Sequence, residues 1–265
     1  MAVTFSSIAR YRRVMRPVDL FTYQGKIDQL VGMTVEATGV SCSVGDVCNI
    51  FIGKNRSVPA EVVGFRENKV LLMPYEDTDG IGYGSVVHNT GQKLAVGVSD
   101  ALIGRAVDAL GHPIDGGDPI EPVTHYPING VPSNPMDRPR ISEPMEMGVR
   151  AIDGLLTIGK GQRMGIFAGS GVGKSTLMGM IARNVEADVN VIALVGERGR
   201  EVVEFMAKDL GPEGVARSVL VVATSDQPAM MRSRCALSAT AIAEYFRDQG
   251  KDVLLMMDSL TRFAM

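Results

Sequence analysis

A glycine-rich segment in the second half of the chain constrains the fold more than any other feature of the sequence. An apolar run from Met164 to Ala168 leads into five residues that include three glycines, and Lys174, Ser175 and a helical pattern follow. An apolar strand, a glycine-rich turn ending in Lys-Ser and a helix are the parts of a phosphate-binding P-loop. Because such a loop joins a parallel strand to its crossover helix, the pattern predicts an α/β domain.

Each residue type in this loop has a chemical reason. The three glycines let the backbone turn its N–H groups toward an anion, and the helix dipole adds positive charge. Lys174 is suited to neutralise β- and γ-phosphate oxygens, and the Ser175 hydroxyl to bind Mg²⁺. Ala168 stands where the strict pattern has glycine, and the alternative interpretation is a glycine turn that only packs. The predicted ATP-binding residues are Ala168, Gly169, Ser170, Gly171, Val172, Gly173, Lys174, Ser175 and Thr176.

Carboxylates follow two further predicted strands. Asp258 ends an apolar run from Val253 to Met257, and Glu197 follows the run from Val189 to Val195. The carboxyl ends of parallel strands meet at one sheet edge, where ligands bind in α/β folds. Asp258 is therefore a candidate for the Mg²⁺ shell, and Glu197 for orienting and deprotonating a water. The alternatives are an ordinary buried strand that ends in Asp258 and a solvated loop pair of Glu197 with Arg198.

The rest of the C-terminal half alternates apolar and helical patterns, which is typical of a mainly parallel sheet. The predicted strands are Met164 to Ala168, Val189 to Val195, Val219 to Ala223 and Val253 to Met257, and the predicted helices are Lys174 to Val185, Arg200 to Leu210 and Ala229 to Gln249.

Short β-type runs separated by glycines fill the region from residue 26 to residue 99. They predict a small antiparallel barrel, with a β-sandwich as the alternative. Eight prolines between residues 111 and 144 exclude a continuous helix and make residues 100–147 a connector. We therefore divide the chain into residues 1–25, an N-terminal segment; 26–99, the barrel; 100–147, the connector; and 148–265, the α/β domain. The predicted strands of the barrel are Lys26 to Val31, Met33 to Thr38, Val47 to Ile52, Ala60 to Phe65, Lys69 to Met73 and Leu94 to Val98.

Composition narrows the class of protein. The 265 residues carry a net charge of −3, so no general excess of basic residues points to a nucleic-acid partner, and none is expected. No uncharged apolar run has the length of a membrane-spanning helix. Arginines 10, 12, 13 and 16 occupy the place where a signal peptide has its apolar centre. Three cysteines without a CxxC spacing indicate buried thiols, and we expect a cytoplasmic protein.

Several segments together resemble the catalytic subunits of the rotary and protein-export ATPases, and most closely the flagellar export ATPases of the type III secretion ATPase family. The resemblance covers the chain in order from Lys26 to its end. The segments that carry it are Ile103 to Asp115, Arg140 to Pro144, Gly148 to Thr157, the P-loop, Gly196 to Arg198 and Asp258 to Met265.

The resemblance implies an N-terminal β-barrel, a RecA-like core and a ring homo-oligomer, a hexamer in that family, with ATP and Mg²⁺ at subunit interfaces. It assigns Glu197 as the catalytic carboxylate and Arg198 as its catalytic neighbour. It also assigns Asp258 as a residue that holds Mg²⁺ through a water molecule, and Glu201 as a residue of the second layer around the ion. The implied function is ATP hydrolysis that energises export of flagellar proteins. The implied partners are regulatory and stalk proteins, export substrates and chaperones. The implied location is the cytoplasmic side of the inner membrane, with a basic amphipathic N-terminal helix as a contact. The alternative for this segment is a plain solvated helix.

The sequence departs from this family at its end. Family members continue past the Asp258 strand with further core strands, an arginine finger, an adenine-contacting aromatic residue and a helical domain. We therefore expect the 265 residues to be a truncated form. Because an arginine finger accelerates phosphoryl transfer roughly 10³- to 10⁵-fold, hydrolysis by this chain alone is expected to be near background.

Three alternative functions remain at this stage. A virulence type III secretion ATPase differs from a flagellar one by only a few residues of these motifs. A nucleotide-binding scaffold that does not hydrolyse ATP is favoured by the truncation and disfavoured by Glu197. A ring translocase on RNA, similar to the termination factor Rho, requires a basic, aromatic groove, which residues 26–99 do not clearly have.

Overall fold

The computed structural model describes residues 23–53, 56–132, 134–169 and 171–265 of the chain. The chain forms two compact units, Met1–Gln92 and Lys93–Met265. Of the predicted N-terminal segment, residues 1–22 lie outside the described residues. No described helix is long and apolar enough to cross a membrane.

The first unit contains a closed antiparallel barrel, as the sequence predicted, and not a sandwich. Its strand order is β1-β2-β5-β4-β3-β6, and the pairing of Gly25 in β1 with Val87 in β6 closes it. Alternate side chains point inward, so that β2 buries Val35 and Ala37 and β3 buries Cys48 and Ile50. The strands are β1 (Gln24–Val31), β2 (Thr34–Thr38), β3 (Asp46–Ile52), β4 (Arg56–Arg66), β5 (Lys69–Pro74) and β6 (Val86–Lys93).

The sixth barrel strand differs from the predicted one. The structure uses β6, whose last six residues, His88 to Lys93, lack the apolar alternation that marks the other strands. The predicted strand Leu94 to Val98 forms as Ala95–Val98, but it lies after the unit boundary and pairs with Thr124–Pro127 of the connector. Strand pairing with β1 stabilises β6, and a pattern confined to one segment does not contain that information.

The second unit is built on a parallel sheet of order β14-β12-β13-β8. Its central strand β12 is buried from Val189 to Gly196, which is the pattern of a strand covered on both faces. The remaining strands are β7 (Ala95–Val98), β8 (Ala106–Val107), β9 (Thr124–Pro127), β10 (Pro144–Met145), β11 (Ile158–Gly159), β12 (Val189–Glu197), β13 (Ser218–Thr224) and β14 (Val253–Asp258).

Helices pack on this sheet at the predicted places. Met178 and Ile181 of α2 pack in one cluster with Ile192 and Leu194 of β12, while α5 contacts β12, β13 and β14. The predicted helix Arg200 to Leu210 is instead a short α-helix, α3, that continues as a π-helix over Phe205–Leu210. The helices are α1 (Arg150–Asp153), α2 (Lys174–Asn184), α3 (Gly199–Glu204), α4 (Gly211–Ala216), α5 (Ala229–Asp248) and α6 (Leu260–Ala264), and short 3₁₀ turns span Asp100–Leu102 and Pro135–Asp137.

The strand predicted before the P-loop is absent. Residues 164–169 have no secondary structure, and the side chains of Met164 and Phe167 are 49% and 97% exposed. A strand forms only where a neighbour supplies hydrogen bonds, and among the described residues no strand pairs with this segment. The prediction Met164 to Ala168 was therefore wrong for this structure, although the helix after the loop is correct.

Gly179 in the middle of α2 allows a close contact with the π-helix. An added Cβ would lie 2.4 Å from the backbone oxygen and 2.6 Å from the carbonyl carbon of Asp209. Glycine inside a helix costs about 1 kcal/mol relative to alanine, so its use here requires a compensating reason. The close approach of the two helices provides that reason.

We expect Gly179→Ala to lower the free energy of unfolding by about 1–3 kcal/mol, because backbone atoms must move to accept the methyl group. The gain in helix propensity only partly offsets this cost. Urea unfolding measures the change. Gly64→Ala is the matched control, since an added Cβ at that strand position meets nothing within 4 Å. Equal stability of the two variants would contradict the contact.

Candidate nucleotide-binding site

The P-loop adopts the backbone conformation that its glycines make possible. Gly171 and Gly173 have φ values of +75° and +96°, which other residues rarely adopt. Gly173 is the N-cap of α2, so the helix begins at Lys174 and its free N–H groups face the loop. Ala168, Gly169, Val172, Ser175 and Thr176 are exposed around this turn, and Ser170 lies outside the described residues.

Lys174 and Asp258 form an ion pair between the P-loop and the end of β14. The Asp258 side chain is only 7% exposed, whereas that of Lys174 is 29% exposed. Residues 84 positions apart therefore meet at the carboxyl edge of the sheet. The ammonium group of Lys174 neutralises the buried carboxylate.

Glu197 lies at the same sheet edge. Asp258 pairs in register with Leu194 of β12, and Glu197 follows three residues later, after a bulge at Gly196. A small cavity of about 70 Å³ lies between these groups. It is lined by Ser175, Leu194, Glu197, Glu201, Val202, Phe205 and Asp258.

The environment of Glu197 favours its protonated form. Burial, a hydrogen bond with the Glu201 carboxylate and the charge of Asp258 raise its pKa from 4.5 to about 7. The same hydrogen bond lowers the pKa of Glu201. The two carboxyl groups therefore share one proton at the wall of the cavity. A carboxylate with a pKa near 7 is well matched to proton transfer at neutral pH.

Two arginines flank the carboxyl pair on different sides. Arg198 is exposed and its guanidinium contacts Glu201 at 3.4 Å, outside the cavity lining. Arg262 of α6 lies 3.8 Å from the other carboxylate, Glu197. An added Cβ at Gly196 would come within 2.8 Å of the Arg262 side chain. The absence of a side chain at Gly196 therefore leaves the space that Arg262 occupies.

Profiles of one family match both units of this chain. The ATP synthase alpha/beta family, nucleotide-binding domain, matches residues 148–265. The ATP synthase alpha/beta family, beta-barrel domain, matches residues 27–91. The chain belongs to the ATP synthase alpha/beta family. The barrel, the parallel sheet and the nucleotide-binding character predicted from the sequence are thereby confirmed.

Individual family members narrow the relationship. A flagellum-specific ATP synthase of Bacillus subtilis is 56% identical over 93% of this chain and 57% of its own length. A type 3 secretion system ATPase of Xanthomonas euvesicatoria is 52% identical over 91% of this chain and 54% of its own length. The chain thus resembles the export branch of the family and spans little more than half the length of these relatives.

Solved structures of the export branch have the same fold. The assembled ATPase EscN from the type III secretion system of enteropathogenic E. coli has a TM-score of 0.83 and 46% identity, over 91% of this chain and 57% of that one. EscN in complex with its central stalk EscO gives a TM-score of 0.84 at the same identity, over 91% and 58%.

The structure adds residues to the site that sequence reasoning did not assign. Arg262 had no predicted role, and the signal for it was a cation on the short helix directly after the Asp258 strand. Leu194, Val202 and Phe205 form the apolar part of the cavity wall. Their apolar character gave no sequence signal, because an apolar residue at these positions is equally consistent with the protein core.

The pKa of Glu197 leads to a pH prediction. Between pH 4.5 and about 7, Glu197 holds a proton in the folded chain but not in the unfolded chain. The contribution of Glu197 to the free energy of unfolding therefore decreases as pH rises across this window. In Glu201→Gln we expect the pKa of Glu197 to fall, because the carboxylate that accepts its hydrogen bond is gone, but to stay above 4.5, since burial and the Asp258 charge still raise it. Carboxyl ¹³C NMR titration measures both values. A Glu197 signal that titrates near 4.5 in the unaltered chain would contradict the shared proton.

Proposed function

We propose that this chain binds and hydrolyses ATP as part of an ATPase that energises protein export through a type III secretion apparatus, with flagellar proteins as the exported class. The observation that carries the proposal is one cavity at the carboxyl edge of the parallel sheet that is lined by Ser175, Glu197 and Asp258, with Lys174 paired to Asp258. The names of the related proteins support the export role, and the flagellum-specific relatives support the flagellar assignment.

Each residue has a distinct task in this proposal. Lys174 leaves Asp258 and binds phosphate oxygens, together with the loop amides between residues 168 and 176. The Asp258 carboxylate, released from this ion pair, would then hold Mg²⁺ through a water molecule. In its ionised form, Glu197 accepts the proton of the attacking water, and its pKa of about 7 keeps that form accessible at neutral pH. Arg262 and the exposed Arg198 balance the negative charge of the two glutamates.

The donor set fits Mg²⁺ that arrives with a nucleotide. Mg²⁺ prefers oxygen ligands and typically takes one or two from the protein, with phosphate and water completing its shell. Ser175 and Asp258 supply a hydroxyl and a carboxylate to the same cavity. Within the described ranges, no group of three or more His, Cys, Asp or Glu side chains is arranged to hold a metal ion. When bound, Mg²⁺ neutralises charge on the phosphates.

The proposal for the oligomeric state rests on the related proteins and not on contacts seen in this chain. EscN is described as assembled and as a complex with its central stalk EscO. By likeness, we propose that the present protein forms a ring homo-oligomer, a hexamer in the family it resembles, and that a stalk protein, export substrates and chaperones bind to it. We also propose a cytoplasmic location with peripheral contact to the export apparatus in the inner membrane.

The test of the proposed function is phosphate release from MgATP by the purified 265-residue chain over a wide range of protein concentration. We expect MgATP binding with phosphate release near background, because the nucleotide sites of the proposed ring lie at interfaces between subunits. Release that rises more steeply than protein concentration would instead mean that the chain completes its sites by assembly. In both cases, MgATP binding is expected to weaken in Lys174→Ala, and any phosphate release above background is expected to be lost. Failure to bind MgATP would overturn the proposal.

Two alternative functions can be distinguished from the proposed one by experiment. A nucleotide-binding scaffold retains MgATP in a complete assembly without releasing phosphate. A virulence secretion ATPase does not restore flagellar export when its coding sequence replaces that of a flagellar ATPase. Motility of a cell carrying the corresponding chimera, in which these 265 residues replace the matching part of a flagellar relative, separates the flagellar assignment from the virulence one.

A further inference from the structure

Two of the three cysteines meet at the barrel wall. Cys48 on β3 is completely buried in the barrel core. Cys42 lies in the segment between β2 and β3, is half-buried, and packs against the same apolar cluster. The two thiols are hydrogen-bonding neighbours. The sequence suggested only unconnected buried thiols, because the turn that brings Cys42 back to the strand is not visible in the spacing.

Polar contacts hold the Cys42 segment in this position. The Asp46 carboxylate accepts hydrogen bonds from the Ser43 backbone N–H at 2.8 Å and from the Asn89 amide at 3.2 Å. The same Asn89 amide donates to the Ser41 carbonyl at 2.9 Å. Its side-chain oxygen faces the Cys48 Sγ at 3.9 Å. Asn89 therefore contacts both the segment that carries Cys42 and the buried thiol itself.

We propose that Cys42 and Cys48 form a reversible dithiol–disulfide site whose substrates are low-molecular-weight disulfides. The half-exposed Cys42 attacks one sulfur of the small disulfide as a thiolate and displaces a first thiolate. Cys48 then attacks the sulfur of Cys42 and displaces the second. The two protein thiols lose two protons and two electrons, and the small disulfide is reduced to two thiols.

The surroundings of the pair are consistent with a site that rests in the dithiol form. Burial raises the pKa of Cys42, and it raises the pKa of Cys48 to about 12, with Asp46 adding to both shifts. Uncharged thiols react slowly with external disulfides. Once Cys42 has reacted, the second step is intramolecular, and fixed neighbours reach effective concentrations that external thiols do not.

Cys235 provides an internal control. It is completely buried on α5, and its Sγ donates to the Val221 carbonyl at 3.3 Å. Burial also raises its pKa to about 12, but neither of the other two cysteines lies beside it. Burial alone therefore predicts the same behaviour for Cys48 and Cys235, whereas the proposal predicts that only Cys48 is oxidised.

The test is incubation of the folded chain with oxidised glutathione, followed by alkylation and peptide mass spectrometry. We expect a peptide pair joined through Cys42 and Cys48 with the loss of two hydrogens, restored by dithiothreitol, while Cys235 stays reduced. A lasting glutathione adduct on Cys42 with reduced Cys48, or no reaction at Cys42, would overturn the proposal. ATP is absent from the assay, so its result is independent of the nucleotide site.

Two single variants identify the order of the steps. Cys48→Ser is expected to accumulate the glutathione adduct on Cys42, because the displacing thiol is missing. Cys42→Ser is expected to leave Cys48 at least ~10-fold slower to react than Cys42 is in the unaltered chain, because Cys48 is completely buried. Faster reaction at Cys48 than at Cys42 would contradict the order. The result with the unaltered chain decides the proposal even if a variant fails to fold.

Discussion

Replacing Glu197 with glutamine is expected to reduce ATP turnover roughly 10²- to 10⁴-fold while MgATP stays bound, in an assembly of the chain that hydrolyses ATP. Glutamine keeps the shape of the side chain but cannot accept a proton from water. The phosphate-binding groups, Lys174 and the loop amides, are untouched by this change. Phosphate release and equilibrium nucleotide binding, measured on the same preparation, separate the two effects.

Glu204→Gln is the matched control for this variant. Glu204 lies at the end of α3, the helix that follows Glu197, and forms an exposed ion pair with Lys208 at 3.7 Å. Exposed pairs of this kind contribute less than about 1 kcal/mol, so turnover should change little. Unchanged turnover in Glu197→Gln would remove Glu197 from the mechanism. Loss of nucleotide binding in that variant would show that Glu197 holds the site together instead.

Lys174→Ala has the second large expected effect, on binding itself. Removing one partner of a buried, hydrogen-bonded charge pair costs about 2–5 kcal/mol, which weakens MgATP binding roughly 30-fold to several thousand-fold. The variant also leaves the buried Asp258 carboxylate without its cation in the nucleotide-free chain. Titration with a fluorescent ATP analogue measures the affinity, and urea unfolding measures the second effect.

The other end of the same strand offers the control for Lys174. Lys160 pairs with Asp252 at 2.5 Å just before β14 begins, whereas Lys174 pairs with Asp258 at its end. Both side chains of the Lys160 pair are exposed by more than a third. Lys160→Ala should therefore leave nucleotide affinity unchanged. Equal loss of affinity in both variants would mean that the lysine acts through general charge, not through a phosphate contact.

Sequence patterns predicted most of the fold because most of its strands and helices can be recognised from the residues of their own segment. The alternation of apolar residues located five of the six barrel strands, and the continuous apolar runs located β12, β13 and β14. The sixth strand, β6, was not predicted because only its first two residues have apolar side chains and the strand depends on pairing. The run from Met164 to Ala168 was predicted as a strand for its apolar character, but no strand pairs with it.

The sequence by itself determined the chemistry of this protein: a P-loop with Lys174 and Ser175, and carboxylates at the ends of two parallel strands. These features are readable because glycine, lysine and strand ends have fixed roles within a few residues of one another. Only the tertiary structure decided that Glu197 shares a proton with Glu201, that Arg262 faces Glu197, and that Cys42 meets Cys48. Such contacts depend on strand register, on where a turn brings the chain back and on which helix follows a strand. A local pattern specifies none of these.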